Sequence, residues 1–185
     1  MNQNTLNNPP KIELLLPSGN FIHAKIALNN GADAVYLGYK RFNARGTTLN
    51  FTFEEIKEIV YYAHIRNKKV YITLNTLIYD TEIEEFKILI DELVSIYVDA
   101  FIIQDLGVLH YIHSVYPNVI LHASTQMNVK NIDEALFLFN NGISRIILAR
   151  EVNLELVKEI KKAIPKLEIE VFVHGALCIS YSGCC

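Results

Sequence analysis

The pattern that decides the fold is an octapeptide, Gly31-Ala-Asp-Ala-Val-Tyr-Leu-Gly38, which recurs twice in weakened form. The second copy is Tyr97-Val-Asp-Ala-Phe-Ile-Ile-Gln104 and the third is Gly142-Ile-Ser-Arg-Ile-Ile-Leu-Ala149. Each copy follows a stretch with helical spacing, begins at a tight turn and continues as a short apolar run typical of a buried parallel strand. Such a recurrence favours a barrel of equivalent β–α units.

The same alternation of strand and helix runs along the chain. The strand starts lie roughly 20–35 residues apart, as expected of successive β–α units. Between the strands, Thr52 and Glu55 form a capping box that predicts a helix over Phe53–His64, and Asn131 and Asn153 begin later helices. The predicted strands are Ile12–Leu16, Ala34–Leu37, Lys69–Leu74, Ala100–Ile103, Val119–His122, Arg145–Leu148 and Ile169–Val173.

The turn after the first strand separates two α/β architectures. An open doubly wound sheet usually has a glycine-rich phosphate loop there, whereas Pro17-Ser-Gly-Asn20 contains one glycine. We therefore predict a (β/α)8 TIM-type barrel, which typically takes about 250 residues. With 185 residues, we expect an incomplete barrel of about seven strands and six helices. Residues 1–10 are predicted to be a flexible arm, and residues 11–185 the N-terminal part of the barrel domain, ending inside a cysteine motif.

The composition is that of a globular protein, with 51% hydrophobic and 20% charged residues. It excludes disorder over most of the chain. No apolar run reaches the roughly 18–20 residues of a membrane span, and Met1 to Pro10 lacks the blocks of a signal peptide. We expect no membrane association and a cytoplasmic location. The net charge of −3 argues against wholesale coating of nucleic acid but leaves room for a local basic patch.

Polar or charged side chains follow nearly every predicted strand, whereas the strand interiors are almost uniformly apolar. In barrels the chemistry lies on the loops after the strands. Four of these residues are predicted to bind a small anionic ligand, because guanidinium and amide groups recognise carboxylates: Arg45, Asn75, Gln126 and Arg150. Three could handle protons: Asp105, Glu151 and His174. For each residue taken singly, a structural hydrogen bond or ion pair at the rim is an equal alternative.

All three cysteines lie in the last eight residues, at Cys178, Cys184 and Cys185. A disulfide framework would spread its cysteines along the chain, so the cluster indicates a ligand motif. Thiolates at a Cys-x6-Cys spacing suit soft iron or zinc. Neighbouring side chains seldom ligate one site together, so we expect this chain to offer two ligands, Cys178 and Cys185.

At this motif the sequence resembles the collagenase-like peptidase family, a peptidase family of unassigned mechanism. The resemblance runs from about Glu13 to the last residue. Within the family it is strongest for the 23S rRNA 5-hydroxycytidine synthase branch. It is carried by Phe172-Val-His-Gly-Ala-Leu-Cys-Ile-Ser-Tyr-Ser-Gly183 with Cys185, Glu13-Leu-Leu-Leu-Pro-Ser-Gly19, Gly31–Gly38, Thr73-Leu-Asn-Thr76, Gln104-Asp105-Leu-Gly-Val-Leu109, His122-Ala-Ser-Thr-Gln126 and Ile147-Leu-Ala-Arg-Glu151.

The resemblance implies an oxygen-independent hydroxylation of an rRNA or tRNA pyrimidine, with prephenate as co-substrate. It also implies a [4Fe–4S] cluster held by four cysteines, of which Cys178 and Cys185 align with the first two. The other two lie downstream in the family, so we expect a truncated form or a partner chain that supplies the missing barrel and cysteines. Cys184 stands where relatives usually carry another polar residue.

Two further hypotheses stay open. The family name implies a collagenase-like peptidase, although the sequence contains no Ser–His–Asp arrangement or His-Glu-x-x-His motif to support it. Alternatively, the chain is a non-catalytic fragment, or a subunit completed by another chain. An exposed barrel seam beside the first and seventh strands would then drive association.

Overall fold

The computed structural model describes residues 12–44, 50–176 and 178–184, in which seven strands alternate with six α-helices. The predicted N-terminal arm, residues 1–10, lies outside the described residues. The strands are β1 (Leu15–Pro17), β2 (Ala34–Gly38), β3 (Lys69–Leu74), β4 (Ala100–Ile103), β5 (Leu121–Ala123), β6 (Ile143–Ile147) and β7 (Glu168–Glu170). The helices are α1 (Phe21–Asn29), α2 (Phe53–His64), α3 (Ile83–Ser95), α4 (Leu106–Val115), α5 (Ile132–Asn140) and α6 (Leu154–Ala163).

The strands form one sheet in chain order, and every neighbouring pair is parallel. The sheet is a curled half-barrel, which confirms the prediction of an incomplete α/β barrel with seven strands and six helices. The two edge strands differ most from their predicted bounds. The apolar residues 171–173, assigned to β7 from their composition, follow the strand and are exposed.

Apolar side chains fill both faces of the sheet. One set packs between the sheet and the helices and includes Val35, Ile72 and Phe101. A smaller set, including Tyr71 and Ile102, faces the inside of the curl. Because parallel strands are covered on both faces, their sequences are apolar nearly throughout. In the part of the chain that the structure describes, no helix is long and apolar enough to cross a membrane.

The three copies of the octapeptide share a backbone conformation at their first residue. Gly31, Tyr97 and Gly142 each lie two residues beyond the end of a helix, with φ of 106°, 61° and 100°. This left-handed conformation ends a helix by turning the chain away from its axis. Glycine adopts it without steric cost, which explains two of the three residues.

The third residue of each copy ties its loop to the preceding strand. Asp33 accepts a hydrogen bond from the backbone N–H of Leu14 at 3.0 Å, just before β1. Asp99 accepts one from Val70 of β3 at 2.8 Å, and the Ser144 hydroxyl donates to the carbonyl oxygen of Leu121 of β5 at 3.1 Å. The repeat therefore encodes both the turn and its attachment to the sheet.

Substituting Gly142 by alanine should cost more stability than substituting Gly31. Both positions have positive φ, which costs a residue with a Cβ about 1–2 kcal/mol. A Cβ on Gly142 would also lie 2.5 Å from the His113 ring, whereas one on Gly31 meets no described atom within 4 Å. Chemical denaturation should therefore rank G142A below G31A. The double variant G142A/H113A should recover the difference, and G19A, where φ is not positive, is the control.

Substituting Tyr97 by glycine should stabilise the fold. Tyr97 is 79% exposed and has a φ of 61°, so its side chain adds little packing and its backbone is strained. Relief of the strain is offset in part by the greater freedom of glycine in the unfolded chain, and the net gain should stay below about 1 kcal/mol. Equal or lower stability of Y97G in thermal melts would contradict this.

The inside of the curl is not uniformly apolar, although most residues of the strands are. At its amino end Arg145 of β6 donates to Glu13 at 2.6 Å and to Glu168 at 2.7 Å, and it lies 3.7 Å from Glu170. The Tyr71 hydroxyl donates to Glu13 at 2.8 Å. We call these five residues the interior cluster. It joins the chain before β1 to β6 across 132 residues of sequence.

Candidate functional site at the carboxyl rim

The carboxyl ends of the seven strands lie on one side of the sheet, and the loops that follow them form the rim. Of the predicted site residues, Arg45 and Cys185 lie outside the described residues. The structure places Asn75, Asp105, Gln126, Arg150, Glu151, His174 and Cys178 after β3, β4, β5, β6 or β7. In parallel barrels these loops form the active site, and the described contacts connect several of them.

A bridge crosses the rim between the loops that follow β2, β3 and β5. The Asn75 side-chain oxygen accepts from the backbone N–H of Ala44 at 3.1 Å, and its amide nitrogen donates to the Ser124 hydroxyl at 3.2 Å. The same hydroxyl accepts from the N–H of Gln126 at 3.2 Å. Among the residues that the structure describes, nothing accepts the second amide hydrogen of Asn75, which leaves it able to donate to a ligand.

Asp105 caps helix α4. One carboxylate oxygen accepts from the backbone N–H of Val108 at 2.9 Å, and the other accepts from Ile78 at 3.2 Å. Asp105 thus holds the loop after β3 against the start of α4. A proton-transfer role for it stays a prediction, as does one for His174, which is exposed just beyond β7.

Residues 178–184, which we call the thiol segment, are attached to the rim by Arg150. Its guanidinium group donates to the carbonyl oxygen of Ser180 at 2.5 Å, to that of Cys178 at 3.4 Å and to the Ser182 hydroxyl at 3.3 Å. The backbone N–H of Arg150 donates to the same hydroxyl at 3.2 Å. Every second residue of the segment, from Cys178 to Ser182, therefore contacts the Arg150 side chain.

Glu151 fixes the same segment through its backbone. Its carboxylate accepts a hydrogen bond from the N–H of Ser182 at 2.9 Å. This bond stabilises the ionised carboxylate and lowers the pKa of Glu151. The guanidinium group of Arg150 and one carboxylate oxygen of Glu151 thus contact the thiol segment. Co-substrate binding by Arg150 and proton transfer by Glu151 stay predictions.

The loop after β5 holds the other side of the thiol segment. Gly183 has a φ of 87°, and a Cβ there would lie 2.9 Å from the Cβ of Asn128 and 3.3 Å from the carbonyl oxygen of Gln126. The ammonium group of Lys130 lies 3.7 Å from the centre of the Tyr181 ring. The segment is therefore packed too closely at Gly183 for a larger residue.

The docking leaves Cys178 and Cys184 exposed on the rim. Within residues 12–44, 50–176 and 178–184, no group of three or more His, Cys, Asp or Glu side chains is arranged to hold a metal ion.

No role was assigned to Ser182 or Lys130 from the sequence. Ser182 belongs to the thiol segment and contacts Arg150 and Glu151, and Lys130 contacts Tyr181 of the segment. Both lie in loops, where no periodicity signals a partner.

Comparisons with known proteins agree with this architecture. Residues 19–185 match the family model described as peptidase family U32. The tRNA hydroxylation protein P of Helicobacter pylori is 44% identical over 176 residues, covering 95% of this chain and 42% of that protein. The 23S rRNA 5-hydroxycytidine C2501 synthase of Escherichia coli is 42% identical over 175 residues, covering 95% of this chain and 26% of that protein. The chain therefore spans less than half the length of these two relatives.

The solved structure of the U32 peptidase Mk0906 has the same fold. It superposes with a TM-score of 0.68 and 14% sequence identity, covering 92% of this chain and 71% of that one. The likeness supports the curled parallel sheet and its ring of helices.

Proposed function

Because this chain belongs to peptidase family U32, and because relatives at 42–44% identity are named for tRNA or rRNA hydroxylation, we propose that it is part of an RNA-modifying hydroxylase. The identity over 95% of the chain is the observation that carries the proposal. In this proposal the substrate is a pyrimidine of rRNA or tRNA, and the rim holds the reacting groups.

The thiols fit the implied [4Fe–4S] cluster in kind but not in number. Such a cluster normally takes four thiolates, and the chain has three cysteines. Cys178 is exposed on a segment held at the rim, where a metal group can reach it, and Cys185 lies outside the described residues. We assign these two as half of the ligand set, with the rest supplied by further chain or by a partner. When bound, the cluster would supply one-electron chemistry.

The co-substrate in this proposal is prephenate, a small anion that would serve as the hydroxyl source. Arg45 would pair with a carboxylate, and the remaining amide hydrogen of Asn75 and the half-buried Gln126 would hydrogen-bond to it. Since Asp105 already accepts two backbone hydrogen bonds, the exposed His174 is the better placed of the two to move a proton.

A chimaera tests the proposal. The chain would be joined to the C-terminal part of the Helicobacter pylori relative and produced in a host that lacks its own hydroxylase. We expect anaerobically purified chimaera to contain iron and sulfide, and nucleoside mass spectrometry to find a hydroxylated pyrimidine. Cys178→Ser should abolish both results, whereas the control C184S should keep them. A folded chimaera with neither result would overturn the proposal. Full cluster occupancy in the 185-residue chain alone would overturn the assignment of two ligands.

A peptidase is the second candidate, because the matched family is described as one. Two serine hydroxyls of the rim contact other partners: Ser124 is bonded to Asn75, and Ser182 to Arg150. Neither has a histidine partner among the described residues, so the base that activates a serine nucleophile is missing there. Cleavage of denatured collagen by pure protein, abolished by one point substitution, would favour this function.

The edges of the sheet offer a place for further chain. In the described residues β1 pairs only with β2, and β7 only with β6. Such strands expose unpaired backbone groups that bind another strand. We propose that further chain, or a partner chain, pairs there and completes the barrel. A monomeric, protease-resistant 185-residue chain in size-exclusion chromatography would contradict an open seam.

A further inference from the structure

We propose that Arg150 and Glu151 are positioning residues, which hold the backbone around Cys178 so that its thiolate is presented at the rim. The inference rests on the proposed function for the purpose of that thiolate. The contacts themselves belong to this chain and do not depend on a cluster or on RNA.

The first support is the geometry of the Arg150 fork. A guanidinium group is planar and its donors have fixed directions, so the acceptors that share it are fixed relative to one another. Here the acceptors are the carbonyl oxygens of Cys178 and Ser180 and the hydroxyl of Ser182. With these groups turned towards Arg150, the segment keeps a defined shape while the Cys178 side chain stays exposed.

The second support is that the anchor is built on a rigid element. Arg150 and Glu151 follow β6 within a few residues, and β6 is paired on both sides. Their joint partner Ser182 is 1% exposed. A buried residue held by a guanidinium group and a carboxylate from consecutive positions resists displacement in two directions.

The third support is the close packing on the opposite side. Gly183 lies against Gln126 and Asn128, so the segment is clamped between the loops after β5 and β6. A ligand side chain that is already held in place before a metal group binds loses less conformational entropy on binding. The clamp therefore points to a preorganised ligand.

Limited chymotrypsin digestion of the 185-residue chain tests the clamp. Tyr181 lies inside the segment and is 60% exposed, whereas Phe172 lies before it and is 54% exposed, so the two sites are matched internally. Cleavage after Tyr181 needs local opening. Arg150→Gln should raise the rate after Tyr181, relative to that after Phe172, by about tenfold, because charge-assisted hydrogen bonds are lost. Lysine has no fork, so R150K should resemble R150Q, and E151Q should give a smaller increase. K25Q, at a residue of α1 that pairs with Glu58 of α2, should change nothing.

Three outcomes would overturn the inference. They are an unchanged ratio in a folded R150Q variant, a parallel rise at both sites, and full rescue by R150K. If R150Q does not fold, R150K and E151Q decide by the same ratio.

Iron content in the chimaera gives a second readout. R150Q should retain less iron than K25Q, and equal iron would contradict a role in presenting Cys178. A folded wild-type chimaera with neither iron nor a hydroxylated pyrimidine would defeat the proposed function, while the digestion ratio would still decide the clamp.

Discussion

Replacing Arg145 by alanine is expected to lower the free energy of unfolding by about 3–5 kcal/mol, because it removes the cation that Glu13 and Glu170 share inside the curl. The Arg145 side chain is 10% exposed, and those of Glu13 and Glu170 are 22% and 17% exposed. Burial alone would raise the pKa of Glu13, yet the hydrogen bonds from Arg145 and Tyr71 lower it to about 2. The ionised Glu13 carboxylate therefore depends chiefly on Arg145, with the ammonium group of Lys69 at 3.1 Å as its second cation.

The loss should grow with pH. At low pH the carboxyl groups of Glu13 and Glu170 in the R145A variant can take up protons and become neutral. Above pH 7 they must either stay buried as ions or become exposed as the interior cluster opens. Urea denaturation of R145A at two pH values, followed by circular dichroism, measures the change. The matched control is K25Q, which removes an exposed pair with Glu58 at 3.1 Å, where an effect of about 0–1 kcal/mol is expected. A loss in R145A as small as that in K25Q would show that the interior cluster does not hold the curl.

The architecture could be predicted from sequence because its signals are local. The turn that begins each octapeptide copy acts within a few residues, and the capping box of Thr52 and Glu55 is present as predicted. The hydrogen bonds from the third residues of the copies span 19 to 29 residues of sequence and were not predicted. The observed bounds of β1 and β7 differ most from the predicted ones, because each of these strands pairs with a single neighbour among the described residues. An apolar run such as residues 171–173 does not reveal where pairing ends.

The site could be predicted by position but not by partner. Arg150 and Glu151 were identified because they follow a buried strand, and they do lie at the rim. Their partners are supplied by a segment about thirty residues further along the chain. Loops lack the residue periodicity that marks helices and strands, so the contact of the thiol segment with Arg150 and Glu151 could not be inferred from the sequence.

The interior cluster was missed for a different reason. Arg145 is a single charge in the strand Ile143–Ile147, and a strand that is buried on both faces does not reveal which face a residue occupies. Its partner Glu13 is 132 residues away. A charge in such a strand still signals a buried partner, because an unpaired one would be too costly.

Replacing Glu170 by glutamine is expected to stabilise the protein above pH 7, by up to about 3 kcal/mol, because each unit of pKa shift is worth about 1.4 kcal/mol. Burial raises the pKa of Glu170 from 4.5 to about 7, against the attraction of Arg145. A raised pKa in the folded state means that the protonated form stabilises the fold. That contribution is complete below pH 4.5 and is lost as the pH rises through 7.

The titration of His122 changes the stability in the opposite direction to that of Glu170 between pH 4.5 and 6.5. Burial, together with the charge of Arg145, lowers its pKa from 6.5 to about 3. The neutral ring therefore contributes stability that is complete above pH 6.5 and is lost as the pH falls towards 3. Between pH 4.5 and 6.5 the two contributions run in opposite directions, and the wild-type stability should be nearly flat.

The Glu170→Gln variant should expose the His122 contribution. Its stability should climb from pH 4.5 to 6.5 and then stay level to pH 8, whereas the wild type should fall across neutrality. Denaturation midpoints at pH 5, 6.5 and 8 measure both profiles. The matched control is E84Q, because Glu84 is 79% exposed and its loss should leave the profile unchanged. A parallel fall of wild type and E170Q between pH 6.5 and 8 would mean that Glu170 does not titrate there, and the inside of the curl would then be better hydrated than its burial indicates.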